Sequence, residues 1–164
     1  MTVFSDLIHW WVRASDGNLY GFGNTGKVYK INDDLYPQQV YDAQERIYGA
    51  SEWFSITGKS YLYFATDRDL HRKELPGLSN WNDVDTDENW PKNNLTSVNG
   101  ITNSHMMREA GGSLIICNAS TPALVGFDDS YTNEAVQLIP GNLSKTIVER
   151  NGRAIVGTYN DEAT

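Results

Sequence analysis

The sequence is poor in several things, and each shortage narrows what the protein can be. It has a single cysteine, Cys117, so no disulfide within the chain can hold the fold. Cys117 sits in the apolar run Leu114 to Cys117, where a buried core thiol is expected. That run is among the longest apolar stretches, whereas spanning a bilayer takes about 20 residues and a signal peptide about 7–15. Neither a membrane segment nor a secretion signal is therefore expected. Basic residues are few: 13 Lys and Arg stand against 21 Asp and Glu, for a formal net charge of -8. Non-specific nucleic-acid binders and proteins of anionic membranes draw affinity from the opposite balance, so neither partner is expected. His9, His71 and His105 lack metal-ligand spacing, and no glycine-rich loop opens a helix to cradle phosphate. No metal site, cofactor or catalytic motif is expected, and the chain reads as non-enzymatic.

What is present is a repeat. Four windows align without gaps: Trp11 to Asn24, Trp53 to Thr66, Met106 to Ala119 and Thr146 to Tyr159. Each carries a glycine-bearing turn, Ser15-Asp16-Gly17-Asn18, Thr57-Gly58-Lys59-Ser60, Ala110-Gly111-Gly112-Ser113 and Arg150-Asn151-Gly152-Arg153. Glycine supplies the positive φ that hairpin turns require, and Asp-Gly or Asn-Gly between apolar runs is a strong hairpin signal. The strands after the turns, such as Tyr61-Leu62-Tyr63-Phe64 and Leu114-Ile115-Ile116-Cys117, are continuously apolar, as strands buried on both faces are. In the first three copies a second polar turn leads to a further strand at Val28, Leu70 and about Leu124. Gln39 to Tyr41 and Ala135 to Ile139 are the candidates for fourth strands.

The ninth column, Leu19, Tyr61, Leu114 and Ala154, recurs at spacings of 42, 53 and 40 residues. Such a period with four strands per unit belongs to propeller blades, and no window has sustained helical spacing. The fold expected is all-β: a β-propeller or a fragment of one, with about three and a half four-stranded blades of antiparallel meander. It forms a single domain over residues 1–164, with a blade insertion at 78–98. The fourth copy has no strand after Ala154-Ile155-Val156-Gly157. One expectation is that Val3, Phe4 and Leu7 pair beside Ile155 and close a ring; the other is that a partner chain covers that edge.

The runs Asp16 to Phe22, Thr25 to Ile31 and Asn151 to Gly157 resemble the blade hairpins of many propeller families, including propeller-type structural proteins of tailed bacteriophages. That resemblance implies a structural or interaction module that binds other protein chains, with virion components as partners. Two alternatives accompany it. A carbohydrate-binding module would use the insertion, where Trp81 and Trp90 could stack on glycans and Asp83, Asp85 and Asp87 have the alternating spacing that opens an oxygen-ligand calcium loop. The calcium pattern then fails, because Glu88 stands where the sharp turn needs Gly and Asn94 where the closing Glu belongs. A glycoside hydrolase would use Glu109 and Glu149, which occupy equivalent columns. Trp11 and Trp53 share a column and are expected to pack in the core. The sequons at Asn94, Asn118 and Asn142 would matter only in a eukaryotic secretory setting.

Overall fold

A computed structural model of the chain describes residues 4–75, 93–98, 104–132, 138 and 141–160. Every regular element among them is a strand. The first blade is the meander β1 (Ile8–Arg13), β2 (Leu19–Gly23), β3 (Lys27–Ile31) and β4 (Pro37–Asp42), hydrogen-bonded in that order. The second contains β5 (Gly49–Phe54), β6 (Ser60–Ala65) and β7 (Leu70–Leu75), and the third β8 (Met107–Ala110), β9 (Ser113–Ile116), β10 (Ala123–Val125) and β11 (Tyr131–Thr132). The fourth copy is one long hairpin, β12 (Asn142–Arg150) with β13 (Arg153–Asn160). The first strands lie side by side from blade to blade, β1 next to β5, β5 next to β8 and β8 next to β12. Stacked four-stranded meanders with their first strands gathered together are the architecture of a propeller.

The glycine turns form as expected, but in two kinds. Asn151 and Gly152, with φ of 54° and 73°, make a two-residue turn, as do Gly111 and Gly112 with φ of 61° and 82°. In the first two blades the loop has three residues and ends on the left-handed Gly17 or Gly58, closed by Ala14 N–H donating to Asn18 O and Ser55 N–H to Lys59 O. Superposing Gly17 on Gly58 aligns Val12, not Trp11, with Trp53. Since successive side chains point to opposite faces, a shift of one residue exchanges the faces. The expected shared core role of the two tryptophans is corrected accordingly: Trp53 is 0% exposed, while Trp11 is 46% exposed.

Packing runs between neighbouring blades. Tyr20, Phe22 and Val28 of the first pack against Ile47, Ala50, Leu62 and Phe64 of the second. Trp53, Tyr61, Tyr63 and Leu70 from the other face of the second blade pack against Met107, Leu114, Ile116 and Val125 of the third. Every residue of β6 is buried because both of its faces are covered. Large apolar side chains of this kind each stabilise the fold by about 1.5–3 kcal/mol.

Of the expected fourth strands, Gln39 to Tyr41 lies within β4. Ala135 to Ile139 lies outside the described residues except for Leu138, and the pairing with β10 already begins at Tyr131–Thr132. A tight turn directly after Val125 brings it there. Gly126 N–H donates to Ser130 O, Asp129 adopts φ 68°, and the Asp128 carboxylate accepts from Ser130 N–H and Oγ–H.

The N-terminal segment does not pair beside Ile155. Val3 lies outside the described residues, Leu7 is exposed, and Phe4 packs edge-on against Trp11 and Tyr29 of the first blade, with centroids 6.0 and 5.1 Å away. Ser5 is hydrogen-bonded to the Tyr29 hydroxyl, and the Asp6 carboxylate accepts from the backbone N–H of Thr25 at 2.8 Å and of Lys27 at 3.4 Å. These bonds tie the segment across the turn at residues 23–27 of its own blade. Burial alone would raise the Asp6 carboxyl, but hydrogen bonds from Thr25, Leu7 and Lys27 together outweigh it and hold it below the ordinary value. A depressed carboxyl stabilises the fold above its unfolded pKa, and that stabilisation is lost as pH falls through the folded one. Asp6→Asn should therefore cost about 1 kcal/mol near neutral pH, judged from lost hydrogen bonds to a charged acceptor discounted for exposure. In denaturation curves the difference from wild type should shrink as pH is lowered from about 5 toward about 2.

Candidate functional site

Where the first strands of three blades converge, they bound a cleft of about 330 Å³ lined by Trp11 and Arg13 of β1, Ser51 and Glu52 of β5, and Met106 and Arg108 at the start of the third blade. Each sheet begins with its first strand, so the outer edges of β1, β5 and β8 have no strand hydrogen-bonded to them among the described residues. Trp11 lies over Gly21, its cross-strand partner, where a Cβ would come within 2.8 Å of the indole. Only glycine leaves room there, and the edge-on contact with Phe4, 6.0 Å between centroids, further holds the ring in place.

Glu52 joins the first two blades. Its two carboxylate oxygens accept the Ser15 backbone N–H at 3.0 and 2.9 Å, and one also accepts Ser15 Oγ–H at 2.5 Å and Ser60 Oγ–H at 2.6 Å. Arg13 and Arg108 are exposed, and neither forms an ion pair among the described residues, where the ion pairs are Lys59–Glu74 and Arg68–Asp67. The cleft is thus bounded by residues of three repeats, with Glu52 fixed by its hydrogen bonds and Arg13 and Arg108 exposed.

The residues singled out in the insertion, Trp81, Trp90, Asp83, Asp85 and Asp87, lie outside the described residues. The insertion's end, 93–98, is described and is pinned between the second and third blades. Asn94 Oδ1 accepts Leu70 N–H at 2.8 Å, Asp67 accepts Val98 N–H at 2.7 Å, and Leu95 and Val98 are buried. Asn94 and Asn118 are buried too, which leaves these two sequons inaccessible.

Glu109 and Glu149 have a structural task. Each accepts the N–H of its own turn glycine, Gly112 at 2.9 Å and Gly152 at 2.7 Å. The histidines act as connectors. Buried His105 places its ring nitrogens 3.0 Å from Cys117 O and from Asp67 O, His9 Nε2 lies 2.6 Å from Ile47 O, and His71 stacks on Phe64 at 4.9 Å. No group of three or more metal-binding side chains occurs among the described residues. Burial pushes the Cys117 thiol up to about 12, so it is an unreactive core group.

Sequence reasoning missed Arg13 and Arg108. The signal was available, because both stand in the third column of their windows, and Trp11 and Met106 share the first.

These features define an all-β protein of propeller type. No family model matches the chain, and no curated protein does. Solved structures resemble it closely in shape and little in sequence. A catalytically inactive virginiamycin B lyase from Staphylococcus aureus, determined with quinupristin, matches with a TM-score of 0.64 at 11% identity, over 96% of this chain and 50% of that one. The extracellular domain of a proposed hybrid two-component system from B. thetaiotaomicron gives 0.64 at 18%, over 94% of this chain and 19% of that one. A proposed gluconolactonase gives 0.54 at 15%, over 92% and 58%. The chain therefore spans half or less of the length of the first two. At these identities the likeness establishes the fold alone.

Proposed function

We propose that the chain is a non-enzymatic interaction module that binds another protein through the outward face of its fourth copy. The observation that carries this reading is the exposure of Val148 (55%) and Ile155 (52%) on the β12–β13 hairpin, directly paired across the two strands. In the second blade, both faces of the corresponding hairpin are covered by neighbours. A directly paired apolar couple exposed across two strands offers a surface that a partner can cover. Beside them a cavity of about 520 Å³ is lined by Arg150, Asn151, Arg153 and Ile155. The complementary partner would present an apolar centre with an acidic rim. The likeness of the hairpins to phage propeller proteins makes a structural component of such a particle one candidate. A hydrolase reading has less support, since Glu109 and Glu149 are each engaged with their own turns.

The test replaces both exposed side chains, Val148→Glu and Ile155→Glu together, and compares recruitment into the native assembly by co-sedimentation. Both positions face solvent, but the two carboxylates would stand opposite each other across the strands, so the variant should stay folded and melt a few degrees, roughly 2–5 °C, below wild type. Recruitment should fall at least about tenfold, since desolvating two carboxylates in an apolar contact costs more than 1.4 kcal/mol. Equal recruitment of the two proteins would remove this face from the reading.

A further inference from the structure

A second cleft, of about 230 Å³, lies at the β3–β4 turn of the first blade and is lined by Asn18, Lys30, Asn32, Tyr36, Pro37 and Gln38. The register shows why these side chains meet. Tyr20, Lys30 and Gln38 stand opposite one another on β2, β3 and β4, so they share one face of the sheet. Asn18, Asn32 and Tyr36 each lie two residues from a member of that row, which alternation returns to the same face, and all three line the cleft. Local bonds fix the corner. The Asp16 carboxylate accepts Tyr20 Oη–H at 2.7 Å and Asn18 N–H at 3.0 Å. Asn32 Oδ1 accepts Asp34 N–H at 3.1 Å, Asn32 O accepts Leu35 N–H at 3.0 Å, and Leu35 adopts φ 62°. The turn that delivers Tyr36, itself 66% exposed, is therefore a defined one.

Lys30, Tyr36 and Gln38 form no side-chain hydrogen bond or ion pair among the described residues. A carboxamide offers both donor and acceptor and an ammonium three donors, which hydroxyl groups can answer in both roles. The Tyr36 ring adds an apolar face on which the C–H side of a ring can rest. Charge and size narrow the ligand further. Burial alone would raise the Asp16 carboxyl, but hydrogen bonds from Tyr20 and Asn18, with the nearby charge of Lys30, hold it below its ordinary value. Lys30 is thus already balanced by a carboxylate, and an anionic ligand gains little. The volume lies below the about 300–1,000 Å³ of sites for drug-sized molecules, which limits the ligand to a single ring.

We propose that this cleft binds one uncharged sugar unit, with its hydroxyls on Lys30, Gln38 and Asn32 and the apolar side of its ring on Tyr36. The site differs from the tryptophan-bearing insertion on which the sequence placed glycan binding, and it stands whether or not the fourth hairpin binds protein.

The test titrates the full chain with the methyl glycosides of glucose, galactose and mannose, and separately with inorganic phosphate. The side-chain NH2 signals of Gln38 and Asn32 are followed by NMR, assigned through Gln38→Ala and Asn32→Ala. At least one glycoside should shift them saturably, with half-saturation on the order of 1–20 mM, and phosphate should bind at least about tenfold more weakly. Tyr36→Ala should weaken that glycoside at least about tenfold while melting within about 2 °C of wild type, since the side chain is exposed. Lys30→Gln should weaken it about fivefold. Leu35→Ala, on the same turn but outside the lining, should bind as wild type does. Phosphate binding as tightly as the best glycoside would reduce the cleft to a general anion site and overturn the proposal. So would unchanged affinity in Tyr36→Ala, an equal loss in Leu35→Ala, or no saturable shift with any of the three glycosides up to about 100 mM with the protein folded.

Discussion

Trp53→Ala should destabilise the protein by about 3–5 kcal/mol, which is the range for deleting a fully buried aromatic side chain. Trp53 is 0% exposed and lies in the core between the second and third blades, edge-on to Tyr63 with centroids 6.1 Å apart. Its indole N–H also donates to Gly112 O at 3.1 Å, joining β5 to the turn of the next blade. Truncation therefore opens a cavity and leaves a carbonyl to find another donor. For a chain of this size the melting temperature should fall on the order of 10 °C. Trp53→Phe keeps most of the volume and loses the hydrogen bond, so it should cost about 1–2 kcal/mol. Thermal or urea denaturation of the two variants checks both values. A loss below about 1 kcal/mol for Trp53→Ala would mean that the second and third blades do not pack as described.

Gly49→Ala should be nearly as damaging, for a different reason. A Cβ at Gly49 would lie 2.1 Å from the His105 carbonyl oxygen and 2.7 Å from its carbon. These are backbone atoms and cannot rotate aside, so β5 or the segment before β8 must move. Overpacking of this kind costs about 1–3 kcal/mol and occasionally more, and the upper end is expected because His105 also joins the blades through Asp67 O and Cys117 O. Gly58→Ala is the informative control. Nothing lies within 4 Å of a Cβ there, but its φ is +81°, so only conformational strain of about 1 kcal/mol is expected. If the two substitutions cost the same in chemical denaturation, the close approach at Gly49 is not real.

The hairpins were legible in the sequence because their signals are local. Gly17, Gly58, Gly112 and Gly152 all adopt the positive φ that their turn positions imply. The parity of the strands was not legible, and β6 shows why. Ser60 to Ala65 are all buried, so there is no alternation of apolar and polar residues to tell one face from the other. A gapless alignment therefore matched Trp11 with Trp53, and the error surfaced only through the loop hydrogen bonds at Ala14 and Ser55. The start of β11 at Tyr131 was not legible because the turn around Asp129 depends on side-chain bonding within Asp128 to Ser130, a weaker local signal than the glycine pairs of the other turns. The cleft was hidden by distance along the chain. Trp11, Glu52 and Arg108 come from three repeats, and only the stacking of blades brings them to one place.

Each joint between blades runs through a hairpin turn: Glu52 of the second blade grips the turn residue Ser15 of the first, Trp53 bonds to the turn of the third, and a Cβ at Gly111 would meet Gly152 O of the fourth at 2.9 Å. Adjacent residues of one strand thus serve the preceding and the following unit separately. Each blade therefore carries part of two joints, and a substitution in β5 can loosen one neighbour while leaving the other in place.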